Sequence, residues 1–127
     1  MPDFHDRLTD FCVGDDVDLR CRVTRIPAGQ TVAHAWLTIK NKLGDVDADA
    51  VLQKHITTVN QAGTGQIEDA GATGTAVLRF DLTNDDTMFL KPDSPYFHDV
   101  QIKTTAGKIS TPFRGLTIAK AQVTIAE

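Results

Sequence analysis

Four histidines, two cysteines and a short run of aspartates are the residues of this 127-residue chain whose types could hold a metal or move a proton. The histidines are His5, His34, His55 and His98. No pair of them has helical metal-ligand spacing, and neither cysteine stands beside one at zinc-site spacing. Asp45, Asp47 and Asp49 alternate as a calcium loop begins, but such a loop then supplies glycine at its sixth position and glutamate at its twelfth. Ala50 and Ile56 stand there instead, so a solvated acidic loop is the expectation. His98 and Asp99 are adjacent, which on a strand sends them to opposite faces and prevents a dyad. His98 is therefore expected on the core face or its rim, with hydrogen-bonded nitrogens. The two serines, Ser94 and Ser110, have no nucleophile-elbow context, and Asp85-Asp86 reads as helix capping rather than a glycosidase pair. Residues 60–74 hold four of the nine glycines but no Lys or Arg and no Gly-Lys-Ser or Gly-Lys-Thr, so they read as a connection rather than a phosphate cradle. The expectation is a protein that is not an enzyme, with no cofactor, no metal site and no small-molecule ligand.

Bulk properties narrow the class further. The chain is 41% hydrophobic and 24% charged, ordinary for a globular domain, and its length suits one domain with one core. Its net charge of −4 comes without a clustered excess of Lys and Arg, so no nucleic-acid partner is expected. No apolar run reaches the roughly 18 residues of a membrane-spanning helix. The first residues, Met1 to Arg7, carry no apolar signal-peptide core, so synthesis in a cytoplasm is expected, with Cys12 and Cys21 as free thiols.

The elements that must position these residues are strands. Val17, Leu19, Cys21 and Val23 alternate with Asp18, Arg20, Arg22 and Thr24, the period of a half-buried strand. Cys21 reads there as a small buried hydrophobe. From Thr31 to Lys40 the pattern places Ala33, Ala35, Leu37 and Ile39 on one face and Val32, His34, Trp36 and Thr38 on the other; Trp36 is amphipathic enough for either. Further extended segments are read at 50–59, Thr75–Leu82, Pro95–Thr104, Ile109–Phe113 and Leu116–Ile125, with a short strand at Gln66–Glu68. Tyr96, His98, Val100 and Ile102 share one face. Thr83 with Asp86 forms a capping-box pattern that opens one short helical turn, stopped before Pro92. Gly107 suits a hairpin turn, and Gly115 a bulge or bend. Before all this, Phe4, Leu8 and Phe11 could line one side of a short helix. About seven strands punctuated by Gly and Pro predict an antiparallel β-sandwich, with an N-terminal arm over residues 1–16 and the sandwich over 17–127.

Ordered motifs then carry a resemblance. They are Ala35-Trp-Leu-Thr-Ile-Lys40, Asp47-Ala-Asp-Ala-Val-Leu-Gln-Lys54, Gly71-Ala-Thr-Gly-Thr75, Phe80-Asp-Leu-Thr-Asn-Asp-Asp-Thr87, Tyr96-Phe-His-Asp-Val-Gln-Ile102, Ala106-Gly-Lys-Ile-Ser-Thr-Pro-Phe-Arg-Gly115 and Val123-Thr124. In this order they resemble the immunoglobulin-like domain at the N-terminus of phage baseplate upper proteins, and small stand-alone phage proteins of the same build. The likeness covers roughly the last three-quarters of the chain, and residues 1–34 hold no matching piece. It implies an immunoglobulin-like sandwich serving as a structural subunit of a virion, in the tail, baseplate, neck or a fibre adaptor. Its implied partners are other virion proteins and copies of itself. The long downstream region of a full baseplate protein has no counterpart here, and a capsid decoration protein is the nearest alternative.

Contact residues expected on this reading are Phe4, Leu8 and Phe11, docking the arm on an adjacent subunit, and Arg20 and Arg22, sharing a charged strand face with Asp18. A further alternative is a carbohydrate-binding module for host-surface recognition, which would place Trp36 on the outer face near Tyr96.

Overall fold

The computed structural model describes residues 7–8, 11–41 and 50–121. Its elements are β1 (Arg7–Leu8), β2 (Val17–Val23), β3 (Val32–Lys40), β4 (Leu52–Ile56), β5 (Gly65–Ala70), β6 (Ala76–Leu82), α1 (Asn84–Met88), β7 (Tyr96–Thr104) and β8 (Ile109–Thr117). They form a five-stranded sheet in the order β1-β8-β7-β3-β4 and a three-stranded sheet in the order β2-β6-β5. Every pairing is antiparallel except that of β1 with β8. A sheet of β2, β6 and β5 facing one built on β8, β7 and β3 is the strand order of an immunoglobulin-type sandwich, with β4 as the extra strand that variable-type domains add beside the third. The all-β sandwich expected from the sequence is present.

Alternation explains the core. On β2 the burial runs with strict period two, and on β6 Ala76, Leu78, Phe80 and Leu82 point inward while Val77, Arg79 and Asp81 do not. Leu19, Leu37, Ile39, Ile56, Leu78, Phe80 and Val100 lose all contact with solvent. Each such side chain contributes about 1.5–3 kcal/mol relative to leaving it exposed, enough together to hold two sheets face to face. Cys21 is fully buried among them and neither cysteine is in a disulfide, as the sequence led one to expect.

Two devices close the corner between β6 and β7. Thr83 caps α1 by accepting from the Asp86 N–H at 3.3 Å, and the Asp86 carboxylate accepts from the Thr83 N–H at 2.8 Å, the reciprocal pair anticipated for these residues. Tyr96, buried at the start of β7, accepts a hydrogen bond at its hydroxyl from the Lys91 N–H at 2.7 Å. A tyrosine at that place bonding back to the upstream backbone is the tyrosine corner of immunoglobulin-like sandwiches.

Three sequence expectations change. Ala33 is an extra residue in the β3–β7 ladder, because Val32 pairs with Thr104 and His34 with Lys103. This bulge reverses the alternation behind it, so Val32 rather than Ala33 enters the core. Gly115 is not a break: it lies in register opposite His98, and β8 runs unbroken to Thr117. The irregularity falls instead between Val100 and Ile102, opposite Thr111 and Pro112, where a proline without an N–H cannot serve the ladder. A helix through Leu8 does not form, since Arg7–Leu8 is a strand. Phe4, Asp45, Asp47, Asp49, Val123 and Thr124 lie outside the described residues.

Candidate functional site

The outer face of the five-stranded sheet carries the most distinctive side chains of the described molecule. Register builds it row by row. Lys40, Phe97 and Leu116 stand opposite one another on β3, β7 and β8; next come Gln53, Thr38, Asp99 and Arg114 across β4 to β8; then His55, Trp36 and Gln101. The β3, β7 and β8 residues of the first two rows line an open depression of about 740 Å³. Its walls mix apolar surface from Phe97 and Leu116 with the charged ends of Lys40, Asp99 and Arg114.

Beside the depression the third row becomes an aromatic cluster. The Trp36 and His55 rings stack with centroids 5.0 Å apart and planes 13° from parallel, and His34 stacks on His55 at 5.1 Å and on Trp36 at 5.8 Å. His34 Nδ1 and His55 Nε2 are 2.9 Å apart and share a hydrogen bond. Partial burial, followed by the proximity of His34, lowers the pKa of His55, which favours the uncharged imidazole. The sequence placed His34, Trp36 and Thr38 on one face. It did not bring His55 to them, because that requires knowing that β4 pairs with β3.

Opposite, the outer face of the three-stranded sheet is a closed ionic net. Arg20 on β2 and Arg79 on β6 stand directly across from each other, as do Asp18 and Asp81. Like charges in register are unfavourable, and β5 relieves the first pair. Glu68 is the extra residue of a bulge between Ile67 and Asp69. Its carboxylate accepts from Arg20 Nε at 2.6 Å and Nη2 at 3.2 Å and from Arg79 Nη1 at 3.2 Å. The hydrogen bond from Arg20 leads the causes that hold Glu68 below the usual carboxylate range. Arg79 Nε also donates to Asp81 at 3.1 Å. Asp81 is nevertheless raised, by burial first and then by Asp18.

The residues expected to make contacts separate in this frame. Arg20 belongs to the ionic net, and Arg22 is exposed on the same face. Phe11 is buried in the sandwich's own core, and beside it Cys12 bridges to Lys120. Leu8 is opposite Thr117 in the β1–β8 pair. His98 faces the core, where its Nδ1 meets the Thr117 hydroxyl at 2.7 Å, while Asp99 faces out. Trp36 is on the outer face, but Tyr96 is in the core, so the tyrosine that a glycan site was expected to use is not on Trp36's face.

No group of three or more His, Cys, Asp or Glu is arranged for a metal among the described residues, and no helix among them is long and apolar enough to cross a membrane. No family model matches the chain, and neither a curated protein nor a solved structure does.

Proposed function

We propose that this chain is a non-enzymatic structural subunit of a bacteriophage particle, a tail, baseplate, neck or fibre-adaptor component that works through protein–protein contacts. The observation that carries the contact role is the outer face of the five-stranded sheet, where Trp36 adjoins a depression lined by Phe97, Leu116, Lys40 and Arg114. Aromatic and arginine side chains around a recess are the groups that dominate binding energy when a partner desolvates them. The resemblance of the motifs from Ala35 to Gly115 to an immunoglobulin-like phage domain supplies the setting. Repeated, symmetric copies and neighbouring particle proteins are the partners in that setting.

Purified particles of the phage that carries the gene provide the test. Mass spectrometry of disassembled particles is expected to find the chain at a fixed copy number, and labelling is expected to place it in the tail or its attachments. A chain abundant in infected cells and missing from particles overturns the reading. A chain found only on the capsid shell favours the decoration-protein alternative.

A further inference from the structure

We propose that His34 and His55 form a chelating site for a divalent transition-metal cation of the copper–nickel class on the outer face of the five-stranded sheet. The site goes beyond the contact role and does not depend on it.

The facing nitrogens, His34 Nδ1 and His55 Nε2, are 2.9 Å apart. Imidazole nitrogens bind such metals at about 2.0–2.1 Å. Two bonds of that length at a right angle place their nitrogens about 2.9 Å apart, whereas a tetrahedral angle needs about 3.4 Å. The observed separation therefore suits the tetragonal coordination of copper and nickel better than tetrahedral zinc. In the metal-free chain one neutral imidazole donates its N–H to the other; a cation takes that place when the donor ring's proton moves to its other nitrogen, with small rotations of the two rings.

The scaffold restrains both ligands. His34 follows the Ala33 bulge on β3, a feature that re-aims side chains, and His55 is held on β4 by its register with Trp36. Stacking of all three rings limits the entropy lost when the metal binds. The protein supplies two ligands, and water completes the shell.

Trp36 reports on the site, being the sole tryptophan of the chain and 5.0 Å by ring centroid from His55. Copper sulfate and nickel chloride titrated into the full-length protein at neutral pH are expected to quench its fluorescence saturably, one cation per chain, reversibly with EDTA. Loss of a group that merely orients a ligand already weakens metal binding about 10–100-fold. His34→Gln and His55→Gln are therefore each expected to raise the half-saturating concentration at least about tenfold, while His5→Gln leaves it unchanged. Thermal melts verify that the variants fold. Copper electron paramagnetic resonance of the unaltered chain gives an independent readout, with two nitrogen ligands expected. Absence of quenching, quenching indifferent to both substitutions, or quenching lost only with His5 overturns the proposal.

Discussion

Arg20 and Arg79 on one outer face, and Trp36 and Arg114 on the other, are placed by the same period-two alternation yet meet different fates. On the three-stranded sheet Glu68 reaches both arginines, and Asp81 takes the remaining side of Arg79. A partner covering this face would have to desolvate charges that already satisfy one another, and removing paired charges from water is costly. On the five-stranded sheet, stacked rings adjoin an open recess, so a partner there gains apolar burial. The two surfaces thus differ in what a partner can gain: one offers charges already paired, the other stacked rings beside a recess.

The largest expected effect tests that asymmetry directly. Trp36→Ala combined with Arg114→Glu should lower incorporation into particles at least about thirtyfold, the size of a binding hot spot of about 2 kcal/mol, with folding retained by circular dichroism. Arg22→Glu on the opposite face should leave incorporation within about twofold by the same mass-spectrometric count. Equal losses from the two faces would abolish the contrast.

Next in size is a tie between the sheets. Lys54 on β4 pairs with Asp86 of α1 at 2.7 Å, and Lys54 also donates to the Gly63 carbonyl at 2.8 Å. Asp86→Ala removes the capping acceptor as well as the ion pair, and about 1–2 kcal/mol should be lost in urea denaturation. Burial alone would raise the Asp86 carboxyl, but Lys54 and Thr83 more than offset it and its pKa is lowered. Its contribution is therefore present above the ordinary carboxylate range and lost as pH falls through the folded value. A variant with unchanged acid sensitivity would show that the tie is dispensable.

Smaller effects distinguish the carboxylates of the ionic net. Glu68→Gln should cost at most about 1 kcal/mol, as expected for partly exposed pairs. Because its folded pKa is lowered, the loss should be seen at neutral pH and vanish in acid. Asp81 runs the other way. Its folded pKa is raised, so its ionised form is disfavoured by folding, and its share of stability is present in acid and lost as pH rises. Asp81→Asn should be neutral or slightly stabilising at pH 7 in the same urea assay, because Asn can still accept from Arg79. A clear loss would mean that the carboxylate charge is needed where it stands.

Smallest of all is the titration of His55. The folded pKa of His55 is lowered from its ordinary 6.5, so the stability it contributes is present above that value and lost as pH falls through the folded one. Thermal melts of the unaltered chain should show a slight decline in this window that is missing from His55→Gln.

Local pattern determined much of this protein. The inward sets on β2, β6 and β7, the capping of α1 by Thr83 and Asp86, and the turn at Gly107, which has φ +86°, all follow from residues close together in the chain. That His34 and Trp36 share a face was legible for the same reason, since alternation is a property of one strand; that this face is the outer one was not. Tertiary pairing decided the rest. His55 joins them only because β4 lies beside β3, and Glu68 reaches two arginines only because β5 bulges next to β6. Phe11, read as part of an arm, is buried in the core of its own sandwich. Val32 enters that core through a bulge at Ala33 that alternation could not foresee. A period of two says which way a side chain points relative to its own neighbours. Which strand lies alongside, and where a ladder gains a residue, are set by contacts between segments far apart in sequence, and those contacts formed both the ionic net and the aromatic cluster.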